Sequence, residues 1–194
     1  VVDLNVRSVN DRPVARADQF QAVEDRALTL TSATFLRNDM DPDGDPLTVQ
    51  IVDGPSHGTL RRTAHDRWEY VPDPNYHGED RFTYRVHDGT TASTVEAVDL
   101  DIRPANDQPK AVRDVFRMVE DQKLVLDPDD LLHNDTDVDR DDLRIQLVDD
   151  PLHGKGRQTA SGKIVYTPRA QFNGNDRFGY RVWDDEGGSS VDAV

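Results

Sequence analysis

The chain has 194 residues and a formal net charge of −15 at pH 7, from 23 Lys and Arg against 38 Asp and Glu. This acidic balance excludes nucleic acid as a partner, because affinity for nucleic acid comes mostly from neutralising phosphates, and it favours cations instead. The chain has no Cys, which excludes disulfides, thiolate metal sites and cysteine nucleophiles, and no apolar run reaches the roughly 18 residues needed for membrane insertion.

Two copies of one sequence unit make up most of the chain. Asn10-Asp11-Arg12-Pro13 returns as Asn106-Asp107-Gln108-Pro109, a shift of 96 residues, the separation of Asn10 from Asn106. The same shift carries further motifs onto one another without a gap: Glu24-Asp25 onto Glu120-Asp121, Asn38-Asp39 onto Asn134-Asp135, His57-Gly58 onto His153-Gly154, and Asp80-Arg81-Phe82 onto Asp176-Arg177-Phe178. Such agreement identifies tandem repeats. We predict a first repeat over residues 10–105 and a second over residues 106–194.

The positions at which the repeats begin and end also predict what the two terminal segments of the chain are. Residues 2–7 match residues 98–103, the last strand of the first repeat. We therefore predict that residues 1–9 are the closing strand of a preceding repeat. The second repeat stops at Val194, the counterpart of Val98, so we predict that its own closing strand is missing. An open sheet edge together with a matching spare strand predicts head-to-tail self-association by strand addition.

In chain order, the local patterns are those of short β-strands. Apolar residues alternate at period two over five segments: Leu47–Ile51, Phe82–Val86, Val98–Ile102, Leu143–Leu147 and Phe178–Val182. Turn-forming clusters rich in Asp, Gly, Pro and Asn separate them, and residues 127–132 predict one short helical turn. About seven short strands in roughly 100 residues are typical of a sandwich. We predict an all-β fold of two tandem Greek-key β-sandwich domains in an extended arrangement.

The motif that carries chemistry is the acidic run Asn38–Asp45, repeated at 134–141. Alternate carboxylates on one side of a turn repel one another unless a cation lies among them. Ca²⁺ fits, because it takes six to eight oxygen ligands in flexible geometry, and the absence of Cys argues against zinc. The alternative is an acidic, solvated turn, since Asp, Asn and Gly favour turns. Retention of every Asp in both copies favours calcium.

An EF-hand loop is excluded as the form of this site. Asp39-x-Asp41-x-Asp43-Gly44 fits the start of such a loop, but its twelfth position is Gln50, where a bidentate Glu is required. The flanking segments are predicted strands instead of helices.

Taken together, these motifs resemble the cadherin-like domains repeated in large bacterial surface adhesins of the RTX type. The resemblance covers essentially the whole chain. It rests on the Asn-Asp-x-Pro linker, on Val-Glu-Asp, on Asp-x-Asp-Gly-Asp before Leu-Thr-Val, and on Gly-x-Asp-x-Phe-x-Tyr-x-Val before Asp-Gly. It implies an extracellular location, at the bacterial cell surface or secreted, with Ca²⁺ at the junctions between repeats. The metal ligands that it implies are Asn10, Asp11, Glu24, Asp41, Asp43, Asp45, Asp88, Asn106, Asp107, Glu120, Asp137, Asp139, Asp141 and Asp184.

The resemblance also implies how these ligands are shared. Asn106 and Asp107 are expected to meet Glu24 of the repeat before and the aspartates of the second acidic run, with Asp184 beside them. The corresponding site around Asn10 lacks a preceding repeat and is expected to be weaker. Cadherin linkers usually carry a further Asp two residues before the Asn, which is absent here, so one or two ions per junction are expected. Six carboxylates are left open between ligand and turn cap: Asp25, Asp39, Asp80, Asp121, Asp135 and Asp176.

The leading functional hypothesis is a calcium-rigidified extender or adhesion module, whose partners are neighbouring repeats of the same chain. The alternative is a calcium-dependent module that binds extracellular polysaccharide, but Trp68 and Trp183 fall at different positions in the two repeats and form no shared platform. An enzyme is not expected. The repeated histidines, His57 and His153, lie in Pro-x-His-Gly turns, and no nucleophile repeats with them.

Overall fold

A computed structural model describes residues 2–187 and 189–193 of the chain. The chain divides into two compact units between Ala105 and Asn106, which is the boundary predicted between the repeats. Each unit is built almost entirely from strands, with one short helix, and each has its own hydrophobic core.

The first unit is a β-sandwich of two sheets. Its elements are β1 (Asp18–Val23), β2 (Leu28–Thr31), α1 (Ser32–Phe35), β3 (Thr48–Asp53), β4 (Gly58–Ala64), β5 (Arg67–Pro72), β6 (Gly78–His87) and β7 (Glu96–Arg103). One sheet has the strand order β1-β7-β6-β3 and the other β2-β5-β4. All neighbouring strands are antiparallel except β1 and β7, which run parallel from the pair Asp18 and Val98 to the pair Val23 and Arg103.

The core of the first unit lies between these sheets. Alternate residues of each strand point inward, as the pleat of a strand requires. The sheet of β2 and β5 contributes Leu30, Trp68 and Tyr70, and the facing sheet contributes inward side chains of β6 and β7. Phe35 of α1 is fully buried and meets Trp68 edge to face, with ring centroids 5.4 Å apart. The helix therefore adds an aromatic side chain to the core between the two sheets.

The second unit repeats this plan in part. Its elements are β8 (Leu124–Leu126), α2 (Pro128–Leu132), β9 (Arg144–Leu147), β10 (Gly154–Gln158), β11 (Ile164–Pro168), β12 (Gly179–Trp183) and β13 (Ser189–Ala193). Its sheets have the orders β10-β11-β8 and β13-β12-β9. β13 pairs Ala193 with Gly179, the same register in which Ala97 pairs with Thr83 in the first unit. β13 ends at Ala193, one residue before Val194, the counterpart of the first residue of the predicted closing strand.

One side of the second sandwich differs from the first. Residues 114–119, the counterparts of β1, form no strand, and neither do residues 174–178, the counterparts of the first half of β6. In the first unit both segments pair with residues 98–103 of β7. The counterparts of those six residues begin at Val194, which lies outside the described residues.

The predicted elements agree with the structure in most places. Each of the five alternating segments contains a strand, and the predicted helical turn is α2. The helix α1, at the equivalent position, was not predicted, because it lacks the Pro that begins α2 and marks a helix start. Residues 2–9 match a strand in sequence but are not a strand here, since a strand needs a neighbour for its hydrogen bonds.

Candidate metal centre

A tight turn between α1 and β3 gathers the first carboxylate group. One Asp41 oxygen accepts hydrogen bonds from the backbone N–H of Asp43, at 2.9 Å, and of Asp45, at 3.1 Å. Gly44 sits in the left-handed region with φ +80°, which allows the chain to curl round Asp41. As a result, Asp41, Asp43 and Asp45 each offer an oxygen within 4.8 Å of the others.

The linker that precedes the first unit is tied to this turn. The backbone N–H of Asp11 donates to Asp43 Oδ2 at 2.6 Å, and the Asn10 amide donates to Asp88 Oδ2 at 3.0 Å. Asp88 also accepts from two backbone N–H groups of the turn that follows it, at residues 90 and 91. The hydrogen bond from Asn10, together with those from this turn, holds the pKa of Asp88 well below its ordinary value. Asp88 is thus a carboxylate at neutral pH.

The second unit builds the same arrangement from its own residues. Asp137, Asp139 and Asp141 offer oxygens within 4.8 Å of one another. The linker is again tied to the turn: the backbone N–H of Asp107 donates to Asp139 at 2.7 Å, and Asn106 donates to Asp184 at 3.2 Å. The acidic turn and its contacts with the linker therefore have the same geometry in both repeats.

The turn of the second unit differs at its glycine position. Arg140 stands where the first unit has Gly44, and it holds the same left-handed conformation with φ +66°. A side chain is disfavoured in this region, so the turn keeps its shape in spite of local backbone strain. The acidic cluster thus forms in both units although only one has the glycine.

Negative charge in these groups is incompletely compensated by the protein. Burial raises the pKa of Asp141, and the charges of neighbouring acidic residues, first among them Asp137, raise it further. The Oδ2 atoms of Asp41 and Asp137 are buried and have no hydrogen-bond partner among the described residues. A buried carboxylate oxygen without a donor is unfavourable unless a cation compensates it. The oxygen-rich donor set, with no nitrogen or sulfur ligand, fits Ca²⁺.

Glu24 lies at the opposite end of the first unit. Its side chain is 1% exposed, and it accepts a hydrogen bond from the Ala105 N–H at 2.6 Å. Strand pairing places this end beside Gly78 and the acidic turn beside His87, at the two ends of β6. Ten residues of strand span roughly 33 Å, so Glu24 is too far away to share an ion with the acidic turn of its own unit.

Glu120, the counterpart of Glu24, is exposed. In the first unit, the backbone of Arg103 and Ala105 holds Glu24 in place. The counterparts of these two residues are not among the described ones, so the structure shows no equivalent support for Glu120. Ten of the fourteen predicted ligands therefore lie in the two acidic turns and their linkers, and Asp88 and Asp184 accept hydrogen bonds from the linker Asn of their own unit. The two glutamates lie apart from the turns of their own units.

Asp80, one of the carboxylates left open between ligand and cap, fastens a turn within the first unit. It is 4% exposed and accepts hydrogen bonds from the backbone N–H groups of Ser56 and His57 and from the Tyr70 hydroxyl. It therefore holds the Pro-x-His-Gly turn against the neighbouring strand.

Asp176 has the same role in the second unit. It accepts hydrogen bonds from the backbone N–H groups of His153 and Arg177 and from the Tyr166 hydroxyl. Burial acts to raise the pKa of Asp176, but these hydrogen bonds outweigh it and the pKa is lowered.

Asp25 and Asp121 are a second equivalent pair with local partners. Asp25 accepts the backbone N–H of Asn75, and Asp121 accepts that of Gln171, across the same two turns of each unit. These hydrogen bonds join one turn to another, and they account for the presence of both aspartates in the two repeats without a metal.

Asp39 and Asp135 fasten the segment that follows the linker. Asp39 accepts the N–H of Arg16 at 2.8 Å, and Asp135 accepts the N–H of Val112 at 2.7 Å. Each residue therefore ties the acidic run to the start of its unit, which explains its repetition through backbone hydrogen bonding.

A buried carboxylate and tyrosine network was missed by the sequence reasoning. Asp18 is 5% exposed and lies against the hydroxyl of Tyr84, which also donates to Asp39. The second unit repeats it with Asp114 and Tyr180, joined at 2.9 Å. The match of Asp18 to Asp114 was visible in the sequence, but a repeated spacing alone does not show that an Asp is buried.

Asp18 gives a prediction about pH. Burial raises its pKa above the ordinary value of 3.8, and the charge of Asp39 adds to the rise. A carboxyl group with a raised folded-state pKa stabilises the fold below its unfolded pKa, and this contribution is lost as the pH rises through the folded pKa. We expect Asp18→Asn to raise the free energy of unfolding at pH 7 and to have little effect near pH 3.

Urea titrations of both proteins at pH 3, 5 and 7 measure this effect. Asp66→Asn, which changes an exposed carboxyl group in a turn, is the control and is expected to show no such pH dependence. A difference between Asp18→Asn and the parent that is the same at all three pH values would contradict the prediction.

The repeated histidines pack against aromatic rings. His57 stacks on Tyr76 with ring centroids 4.1 Å apart, and His153 stacks on Phe172 at 4.4 Å. The glycine after His57 has no room for a side chain, since a Cβ at Gly58 would lie 2.6 Å from a backbone carbonyl oxygen of β5. These packing contacts account for the recurrence of the Pro-x-His-Gly turn in both repeats.

Comparison with known families agrees with this architecture. Residues 10–101 match the family model of the bacterial Ig domain, and residues 105–194 match that of the cadherin-like domain. The chain is a tandem of two Ig/cadherin-like domains. The predicted cadherin-like fold is thereby confirmed for this tandem, as is the all-β class. Among the described residues of the tandem, no helix has the length and apolar character to cross a membrane.

Similar proteins include two large animal proteins. The tandem is 25% identical over 188 residues to the mouse (Mus musculus) extracellular matrix organizing protein FRAS1, covering 78% of the chain and 5% of that protein. It is 38% identical over 77 residues to human (Homo sapiens) FRAS1-related extracellular matrix protein 2, covering 39% of the chain and 2% of that protein. The chain thus spans a small fraction of these relatives. The crystal structure of human mucin-like protocadherin EC1-2 aligns with 93% of the chain and 95% of its own at 16% identity, with a TM-score of 0.45.

Proposed function

We propose that the tandem is a non-catalytic, calcium-stiffened spacer in a bacterial cell-surface or secreted adhesin. Ca²⁺ is held at the acidic turn of each unit, and it stiffens the linker that enters the unit. The observation that carries the proposal is the cluster of three carboxylates in each unit, fastened to the linker by the N–H of Asp11 or of Asp107.

The geometry supports a cation that acts on the linker. In each unit the linker Asn donates to a buried carboxylate, Asp88 or Asp184, while the next residue donates to the acidic turn. An ion among these oxygens would offset their mutual repulsion and would favour this docked linker over a free one. Because Ca²⁺ binds the assembled oxygens and not the unfolded chain, it stabilises the fold by mass action.

An extracellular location is supported by the relatives, both of which carry extracellular matrix in their names. The bacterial setting is supported by the match of the first unit to the bacterial Ig domain and by the motif resemblance to RTX-type adhesins. Free Ca²⁺ is abundant outside cells, where even weak oxygen-based sites with dissociation constants of roughly 10⁻⁴–10⁻³ M are filled.

Isothermal titration calorimetry with CaCl₂ tests calcium binding on the metal-free chain. We expect saturable binding, and we expect Asp137→Asn/Asp139→Asn to remove the sites of the second unit while those of the first remain. At a Ca²⁺ concentration 100 times the dissociation constant, the bound ion stabilises by about 2.7 kcal/mol, which a thermal melt detects. The reciprocal variant, Asp41→Asn/Asp43→Asn, should spare the second unit.

The matched control is Asp149→Asn/Asp150→Asn, which removes the same charge from an exposed pair outside the acidic turns. This control should bind Ca²⁺ like the parent. Equal calcium binding by the Asp137→Asn/Asp139→Asn variant and the parent would refute the metal site.

Small-angle X-ray scattering tests the stiffening separately from the binding. We expect the parent to give a narrower distribution of dimensions in Ca²⁺ than in chelator. Scattering that is unchanged by Ca²⁺ under conditions where calorimetry shows binding would overturn the spacer role while leaving the metal site intact.

A further inference from the structure

The strand β10 lies in a basic part of an otherwise acidic chain. Residues 151–175 hold four Lys and Arg and no Asp or Glu, whereas the chain as a whole has a formal net charge of −15. The corresponding residues of the first repeat, 55–79, hold three Arg and four Asp and Glu. The basic character of this segment therefore belongs to the second unit and not to the repeat as such.

Two cationic side chains of β10 lie on the outer face of its sheet. Gly156 pairs with Tyr166 of β11, which is buried, so position 156 faces the core. Because the side chains of a strand alternate between its two faces, Lys155 and Arg157 point away from the core and lie about 7 Å apart along the strand. Both residues are exposed.

The charges of these two residues are not neutralised within the second unit. In the first unit, Arg61 forms an ion pair with Glu69 across β4 and β5 at 2.6 Å. The counterpart of Arg61 is Arg157, and the residue opposite it on β11 is Val165. Among the residues that the structure describes, neither Lys155 nor Arg157 forms an ion pair. The two cations are therefore available to a partner.

The backbone of β10 is a regular sheet edge. In the order β10-β11-β8 it has a strand neighbour on one side only, and it pairs with β11 in unbroken register from Gly154 to Gln158. The counterpart strand β4 is also an edge, but its register shifts between Arg62 and Ala64. Such a bulge bends an edge and hinders further pairing, whereas a regular edge presents N–H and C=O groups to another strand. The second unit therefore offers an edge that the first does not.

The cations select the kind of strand that this edge accepts. Side chains directly opposite one another on paired strands have Cβ atoms about 5 Å apart, and an extended peptide repeats its side chains on one face about every 7 Å. A strand with Asp or Glu at alternate positions therefore places one carboxylate opposite Lys155 and the next opposite Arg157. The same strand of a second copy would place cations opposite cations, which is unfavourable.

We propose that β10 binds an extended acidic segment of a partner protein, which adds to its open edge as a further strand. Backbone hydrogen bonds hold the segment in place, and its alternate carboxylates pair with Lys155 and Arg157. The contact uses no metal ion and no residue of the acidic turns, so it is independent of the calcium sites.

Fluorescence anisotropy with a labelled synthetic peptide in which Asp and Ser alternate tests the proposal. The titration uses the 194-residue chain in EDTA, so that the peptide does not compete for calcium. We expect saturable binding that weakens in 1 M salt, where the Debye length is about 3 Å. Lys155→Glu/Arg157→Glu should bind at least several-fold more weakly. Arg61→Glu, the same change at the counterpart position in the first unit, is the control and should bind like the parent.

Either of two results contradicts the charge contacts. One is a parent that does not bind the peptide at millimolar concentration, and the other is undiminished binding by Lys155→Glu/Arg157→Glu.

Methylation of the peptide backbone tests whether the peptide binds as a strand. The N–H groups of successive residues in a strand point to opposite sides, so only one alternate set points at β10. We expect binding to be lost when one set, either that of the Asp residues or that of the Ser residues, is N-methylated, and to be retained when the other set is. Equal binding of both methylated peptides and the parent peptide would show a contact through charge alone and would overturn the added strand.

A sulfated polysaccharide is the competing polyanion, and heparin serves as its probe. The outer face of β10 and β11 presents Lys155, Arg157, Val165 and Thr167, and none of these offers an aromatic ring for stacking on a sugar. We therefore expect heparin to bind more weakly than the peptide. Tighter binding of heparin that is lost in Lys155→Glu/Arg157→Glu would assign the edge to a polysaccharide and overturn the peptide proposal.

Discussion

Phe35→Ala is expected to destabilise the first unit by about 3–5 kcal/mol, the range for truncating a buried aromatic residue. The Phe35 side chain is completely buried and contacts four aromatic rings, those of Phe20, Trp68, Phe82 and Tyr84. No neighbouring backbone is free to fill the space, because the ring lies between two hydrogen-bonded sheets. For a domain of this size, such a loss lowers the melting temperature by more than about 10 °C, since each kcal/mol corresponds to about 4–8 °C.

The measurement must separate the two units, because a two-unit chain need not melt in one transition. In a Trp183→Phe background, the fluorescence of Trp68 reports on the first unit alone. Val52→Ala, at a position 42% exposed on β3, is the control and should change the stability by less than about 1 kcal/mol. A Phe35→Ala variant that melts with the parent would show that the Phe35 ring does not stabilise the core.

Leu131→Ala provides the counterpart in the second unit. Leu131 occupies the same position in α2 and is also fully buried. Leu131→Ala should lower the midpoint of the unfolding transition that Trp183 reports, measured in a Trp68→Phe background. The unfolding transition of the first unit should stay unchanged. Movement of both transitions together would contradict the independence of the two cores.

Asp80→Ala is expected to cost the first unit about 3 kcal/mol, because its removal leaves several buried donors without an acceptor. The buried Asp80 carboxylate accepts hydrogen bonds from the backbone N–H groups of Ser56, His57 and Arg81 and from the hydroxyl of Tyr70. Each such donor costs about 1–3 kcal/mol when no water reaches it. The expected loss of stability therefore arises mainly from the donors that are left without an acceptor.

Chemical unfolding followed through Trp68 measures this cost. Asp99→Ala is the matched control: it removes a carboxylate from the adjacent strand whose ion pair with Arg81 is exposed, and such pairs contribute at most about 1 kcal/mol. Equal losses in the two variants would show that Asp80 acts only as a surface charge. Asp80→Asn, which keeps the shape and one acceptor oxygen, should fall between Asp80→Ala and the parent.

Asp80 and Asp43 show the limit of sequence reasoning about the site. Both are aspartates near a glycine turn, and both recur in the second repeat. The structure makes Asp80 a buried acceptor for a loop more than twenty residues away in sequence, and it makes Asp43 an exposed member of a carboxylate cluster. The difference depends on which strands pack together, and the residue type and its neighbours in sequence do not contain that information.

The two-unit organisation, the strand class and the acidic turns could all be predicted from the amino-acid sequence. Each of these is encoded locally: alternation at period two follows from the pleat of a strand, and an Asp-x-Asp-x-Asp turn gathers its own carboxylates through hydrogen bonds over two to four residues. The second repeat supports each of these predictions, because a pattern that recurs at the same position in two repeats does not arise from composition alone.

The tertiary structure alone shows which acidic residues are buried and which sheet edges are paired. The Asp18 carboxyl group is buried because Tyr84 and the strand β7 cover it, at separations of more than sixty residues. Residues 18–23 form the strand β1 because β7, about eighty residues later in the sequence, pairs with them, whereas their counterparts at 114–119 form no strand. Burial and pairing are properties of contacts between distant parts of the sequence, so no local pattern encodes them.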